Sequence, residues 1–138
     1  MRRLAREIAL QILFQREFAP QIPLNHILEL YSSFLENEKQ KLDSDSTTLG
    51  YAKDLAEGVH KFKDQIDQKI QSSSQHWKLD RMATVDRNIL RIAIFEMHFM
   101  AEPLKPNIAI NEAVEIAKKF STTESAAFIN GLLDQARA

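Results

Sequence analysis

The stretch VDRNILRIAIFEMHFM, residues 85–100, is unusually apolar and decides the fold. Its apolar residues recur at three- and four-residue spacing and cover most of the circumference of a helical wheel. They are Val85, Ile89, Leu90, Ile92, Ala93, Phe95 and Met97. A helix that is apolar on nearly every side must be covered by other elements. The stretch therefore predicts a central, buried helix over about Thr84 to Met100.

Amphipathic stripes of helical period recur on both sides of this helix. They predict further helices over about Arg2 to Phe18, residues 24–38, roughly Thr48 to Ser72, residues 107–120 and residues 121–136. The polar stretch at residues 39–50 is expected to be a loop, and Trp77, in a connector, is expected to plug the core. No strand-like alternation occurs in the sequence. The prediction is an all-α fold, a helical bundle of six to seven helices.

The composition is typical of one globular domain, which we expect to span residues 1–138. The chain has no cysteine, which excludes disulfides and thiolate metal sites. It has neither an apolar run of the roughly 20 residues that a membrane span needs nor a signal peptide. We expect a cytoplasmic protein. The formal net charge is −1, so a polyanion would have to be bound by a local patch.

Such a patch is present at the start of the first predicted helix. Arg2, Arg3 and Arg6 fall within roughly one 100° sector of the helical wheel, and Leu10 and Phe14 continue the same face. Cations are unfavourable at a helix N-terminus, which already carries about half a positive charge. Departures from local preference tend to mark function. Arginines followed by an exposed aromatic ring suit phosphates and a stacked base, as in single-stranded RNA. The alternative interpretation is a solvated helix end.

Three segments stand out: RRLAREIALQILFQ at residues 2–15, VDRNILRIAIFEM at residues 85–97 and NIAINEAVEIAKKFSTTESAAFINGLLD at residues 107–134. All three resemble the NusB family of bacterial transcription antitermination factors. The resemblance covers nearly the whole chain and is weak only from about Pro20 to Leu79. It implies two packed three-helix subdomains.

The resemblance also implies function. Family members pair with the small-subunit ribosomal protein NusE and bind the single-stranded boxA element of nascent RNA. The pair recruits other Nus factors and lets RNA polymerase pass terminators. Some relatives self-associate, and the sequence does not decide between a monomer and a homodimer.

Carried over residue by residue, the family's arginine-rich motif falls on Arg2, Arg3 and Arg6. One further arginine that is common in the motif is Leu4 here, which weakens the patch. Phe14 stands where an aromatic residue contacts RNA. Three phosphate contacts on single-stranded RNA would give a log–log salt slope of about −2.

A second RNA-proximal region matches KKFSTTES, residues 118–125, and implies RNA contacts from Lys118, Lys119, Ser121 and Glu124. Asp86 matches an acidic position that contacts the ribosomal protein. Each assignment has a structural alternative. Lysines near a helix C-terminus and an acid in a first turn are favourable for the helix alone. Ser121 and Glu124 also have the spacing of a capping box.

The sequence contains no arrangement that predicts catalysis, a cofactor or a metal. The four histidines are scattered, and no glycine-rich phosphate loop occurs. Two other functions are weighed against RNA binding. A protein–protein adaptor could use the arginines and Phe14 as an interface hot spot. A similar helical domain is appended to ribosomal RNA cytosine methyltransferases, but this chain is expected to have no room for a catalytic domain.

Overall fold

Seven α-helices and one 3-10 turn form the parts of the chain that the computed structural model describes, residues 2–37 and 46–138. The elements in order are α1 (Arg2–Phe18), α2 (Leu24–Asn37), α3 (Ser46–Lys61), α4 (Lys63–Ser73), the 3-10 turn (Leu79–Arg81), α5 (Thr84–His98), α6 (Pro106–Phe120) and α7 (Thr123–Ala136). No strand occurs within these ranges. The predicted all-α class is confirmed.

The chain divides into two compact units, Met1–Glu57 and Gly58–Ala138. In the first unit, α1 packs on α2, and most of α3 follows. The second unit contains the end of α3 and the four helices α4 to α7. It has one helix more than the resemblance implies because the predicted third helix is divided in two. That residues 1–138 act as a single domain stays a prediction.

The core of the second unit is built around α5, as its sequence predicts. Residues 88–97 of this helix are buried without interruption. It packs on α4, α6 and α7. The polar groups in this run have partners: Arg91, 5% exposed, pairs with Asp67 over 2.8 Å and 3.1 Å and donates to Asn88 Oδ1 over 3.1 Å. Buried charge of this kind is tolerated only when it is paired.

The predicted helix over roughly Thr48 to Ser72 is interrupted at Phe62. This residue has φ −103° and ψ 19°, outside the α-helical region. Its ring stacks on Phe99 with centroids 5.3 Å apart and lies 6.3 Å from Phe95. Gly58 lies one turn earlier, and a Cβ added there would overlap the Phe95 ring. The aromatic cluster therefore occupies the place where the two helices meet.

Three further expectations need correction or restriction. Residues 46–50 of the predicted loop belong to α3, whereas residues 39–45 lie outside the described residues. Trp77 does not plug the core, because its side chain is 55% exposed. Its backbone carbonyl accepts from Ser74 Oγ over 2.8 Å and from Gln71 Nε2 over 3.1 Å, so the turn is held while the ring faces solvent. The apolar spacing within residues 107–120 also predicts a core position for Phe120, but Phe120 is exposed.

Candidate nucleic-acid interface

The first turn of α1 carries two exposed arginines, Arg2 and Arg3, and no acidic residue. The backbone dipole adds about half a positive charge at the same place. Both side chains are presented to solvent, as the sequence predicts. This turn is therefore a compact positive surface at which a bound anion would also meet the helix N-terminus.

Arg6, the third arginine of the predicted patch, is buried and only 3% exposed. The expectation that all three arginines are displayed on the surface is therefore wrong for this residue. Its Cζ lies 5.9 Å from the ring centroid of Tyr51 on α3. The helical wheel places Arg6 beside the core stripe, but it does not show that another element covers that side of α1.

Tyr51 also contacts Arg2, whose Cζ lies 4.1 Å from the ring centroid. A shallow cleft of about 360 Å³ opens beside this pair. It is lined by Arg2, Ala5, Thr47, Thr48, Gly50, Tyr51 and Asp54. The cleft combines one cation, one carboxylate, two threonine hydroxyls and a tyrosine ring with its phenol hydroxyl. Such a lining can accept a polar, planar group such as a nucleotide.

Phe14 is half-buried, whereas the sequence predicts an exposed ring. It packs against Phe18 one turn further on, with ring centroids 4.9 Å apart and planes at 52°. Phe18 is the exposed member of the pair, at 69%. Leu10, expected to continue the arginine face, is buried. Any stacking platform on this part of α1 is therefore offered mainly by Phe18.

The turn between α6 and α7 carries the second set of predicted RNA contacts. Lys118 and Lys119 are exposed in the last turn of α6. Lys118 Nζ pairs with Glu115 over 3.2 Å, and Lys119 Nζ lies 5.3 Å from the Phe120 ring centroid. Glu124 is exposed in the first turn of α7. The second unit thus brings two cations and one acid to a single turn.

Asp86 ties this turn to the start of α5. Its Oδ1 accepts from Ser121 Oγ over 2.7 Å and its Oδ2 from Ser125 Oγ over 2.8 Å, and the residue is 7% exposed. The helix α7 is capped by Thr122, whose Oγ1 accepts from the Ser125 backbone N–H over 2.9 Å. The predicted capping box of Ser121 and Glu124 is therefore wrong, because Ser121 bonds to Asp86 instead.

Sequence reasoning missed Tyr51, Trp77 and Phe128 as surface features. Trp77 and Phe128 line two adjoining clefts of about 370 and 400 Å³, one of which includes Asp86 and Glu124. From the sequence alone, the apolar rings of Trp77 and Phe128 favour core positions. An exposed Trp77 is signalled only weakly, by the polar residues that surround it in the connector.

Within residues 2–37 and 46–138, no cluster of three or more histidine or acidic side chains could hold a metal ion. No helix in the same ranges is both long and apolar enough to cross a membrane.

The fold and this surface define an all-helical protein that displays a cationic helix N-terminus beside an aromatic ring, an arrangement suited to anionic chains. The chain belongs to the NusB family of transcription antitermination factors, whose family model matches residues 3–138. The transcription antitermination protein NusB of Bdellovibrio bacteriovorus is 60% identical over 134 residues, which are 97% of this chain and 93% of that protein. The protein of the same name from Myxococcus xanthus is 42% identical and covers 97% and 92%.

Solved structures agree with this assignment. T. maritima NusB superimposes with a TM-score of 0.83 at 33% identity, over 99% of this chain and 90% of that one. A crystal structure of the antitermination factors NusB and NusE in complex with dsRNA gives a TM-score of 0.80 at 24% identity, over 99% and 95%. At this lower identity the likeness concerns the fold.

Proposed function

We propose that this protein acts in transcription antitermination by binding single-stranded boxA RNA together with the small-subunit ribosomal protein NusE. Family membership supports the antitermination role. A structurally similar NusB was crystallised with NusE and dsRNA, which supports both partners. The observation that carries the proposal is the exposed pair Arg2 and Arg3 at the N-terminus of α1.

In this proposal the two arginines bind phosphates of the strand. The planar guanidinium donates two parallel N–H bonds to phosphate oxygens, and the helix dipole adds to the attraction. Arg6 is buried beside Tyr51, so in this proposal it helps to hold α1 in place and does not itself meet the strand. Phe14 acts through Phe18, its ring partner, which offers the more exposed face for a base.

The turn between α6 and α7 is the second proposed RNA contact. Lys118 and Lys119 are exposed and can approach phosphates, and Glu124 can accept from a base N–H. Ser121 is part-buried, and its hydroxyl is engaged by Asp86. We therefore propose that Ser121 orders the turn and that the RNA contacts come from its neighbours.

Asp86 is proposed to serve the ribosomal protein indirectly. Both of its carboxylate oxygens already accept hydrogen bonds from serine hydroxyls. The residue therefore fixes the surface lined by Trp77, Glu124 and Phe128, onto which a protein partner could dock. We further propose that the protein is a single functional domain in the cytoplasm, catalyses no reaction and needs no cofactor.

The test is a fluorescence-anisotropy titration of a boxA oligonucleotide and of a scrambled RNA of the same composition. Each RNA is titrated with this protein, with NusE and with both proteins. The pair should bind boxA more tightly than either protein alone and more tightly than the scrambled RNA. Arg2→Ala/Arg3→Ala should weaken binding about five- to ten-fold, because exposed charge contacts contribute up to about 1 kcal/mol each.

The matched control is Lys63→Ala/Lys105→Ala, which removes two exposed cations outside the predicted surface. This variant should bind boxA like the wild type. Equal affinity for boxA and the scrambled RNA would contradict sequence-specific binding. Salt-insensitive association with NusE in the absence of any RNA binding would instead favour the protein–protein adaptor.

A further inference from the structure

The ring of Tyr51 holds arginines from two successive turns of α1. Arg2 Cζ lies 4.1 Å and Arg6 Cζ 5.9 Å from the ring centroid. Both distances lie within the roughly 6 Å over which an aromatic face attracts a cation. Tyr51 is half-buried and Arg6 is buried, whereas Arg2 is exposed. One ring therefore links an exposed guanidinium to the packed part of the first unit.

A cation–π contact at this distance can order Arg2 without a hydrogen bond to the ring. A guanidinium that stacks on a ring uses its face, while its five N–H groups lie in its plane and point outward. An arginine side chain otherwise loses about 2 kcal/mol of rotamer entropy when a ligand fixes it. Preorganisation reduces this cost before the ligand arrives. The same ring and the same arginine line the 360 Å³ cleft.

We propose that Tyr51 is a positioning residue for RNA binding, because its ring holds the Arg2 guanidinium at the cleft so that a phosphate of the strand meets a preset fork. The inference rests on the proposed function, since the ligand is the same single-stranded RNA. Tyr51 lies in the part of the chain where the family resemblance is weak, and no motif singles it out.

A double-mutant cycle tests the inference with the full chain, NusE and a boxA oligonucleotide. The variants are Arg2→Ala, Tyr51→Leu, their combination and Tyr51→Phe. Tyr51→Leu should weaken boxA binding about two- to five-fold, which is the worth of a cation–π contact at an exposed site. Tyr51→Phe should stay within about two-fold of the wild type because the ring is kept. In the Arg2→Ala background, Tyr51→Leu should change the affinity no further.

The outcomes separate this inference from the proposed function. If Arg2→Ala binds boxA like the wild type, the arginine contact itself fails. If Arg2→Ala weakens binding but Tyr51→Leu does not, or if Tyr51→Leu weakens it equally in both backgrounds, the positioning role is contradicted while RNA binding stands. Thermal unfolding of each variant identifies losses of fold.

A second measurement needs no variant, in case Tyr51→Leu does not fold. In proton NMR of the wild-type protein, the Arg2 side-chain protons should be shifted upfield by the ring current relative to those of Arg3. Equal shifts for the two arginines would overturn the inference.

Discussion

Arg2, Arg3 and Arg6 share one sector of α1 but not one environment. The first two are exposed, and the third is 3% exposed beside Tyr51. A helical wheel gives the direction of a side chain from the axis, and it does not show which distant residues cover that direction. The sequence therefore predicts that the three arginines share a sector of α1, but it does not predict that Arg6 is buried while Arg2 and Arg3 are exposed.

The difference in burial between Arg6 and Arg3 should appear in the free energy of unfolding of their alanine variants. Arg6→Ala removes a buried charged side chain together with its packing, so the free energy of unfolding should fall by about 1–3 kcal/mol. Arg3→Ala changes an exposed side chain, and its effect should be below about 0.5 kcal/mol. Urea denaturation followed by circular dichroism measures both. Equal effects in the two variants would contradict the assignment of Arg6 to the packed interior.

The residue that caps α7 also differs from the sequence-based prediction. The spacing of Ser121 and Glu124 predicts a capping box, but the cap is Thr122, one residue later. The ends of a helix are the part that a sequence pattern defines least sharply. Here the shift releases Ser121 to bond with Asp86, a contact between distant parts of the chain that no local pattern contains.

Among the secondary-structure elements, helical periodicity predicts the bounds closely where one apolar stripe belongs to one straight helix. The bounds of α1 agree with the prediction, and those of α5 and α6 differ only at their ends. The break at Phe62 is not predictable in this way because the apolar period continues from Val59 to Ile66 across it. The cause is tertiary: the Phe62 ring packs on Phe95 and Phe99.

Two glycines within helices provide a matched test of this packing. Gly58→Ala would place a Cβ against the Phe95 ring, so overpacking should cost about 1–3 kcal/mol despite the better helix propensity of alanine. Gly131→Ala, in α7, meets nothing within 4 Å and should stabilise the protein by up to about 1 kcal/mol. Thermal denaturation compares the two. A neutral or stabilising Gly58→Ala would contradict the close contact between Gly58 and Phe95.

At the scale of the whole molecule, charge limits what the protein can do alone. The formal net charge is −1, so long-range attraction to RNA is weak and binding depends on local contacts. The burial of Arg6 reduces the exposed arginines of the motif from three to two. The log–log salt slope expected from this patch therefore becomes less steep, about −1.4 instead of about −2. Such a small electrostatic term is consistent with a need for NusE.

The salt dependence of boxA binding in the presence of NusE tests whether Arg2 and Arg3 contact the RNA. The logarithm of the affinity is measured against the logarithm of the salt concentration for the wild type, Arg2→Ala/Arg3→Ala and Lys63→Ala/Lys105→Ala. The arginine variant should lose affinity and about 1.4 of the slope, whereas the lysine variant should retain both. An arginine variant with the affinity and the slope of the wild type would contradict the claim that the N-terminus of α1 binds the RNA.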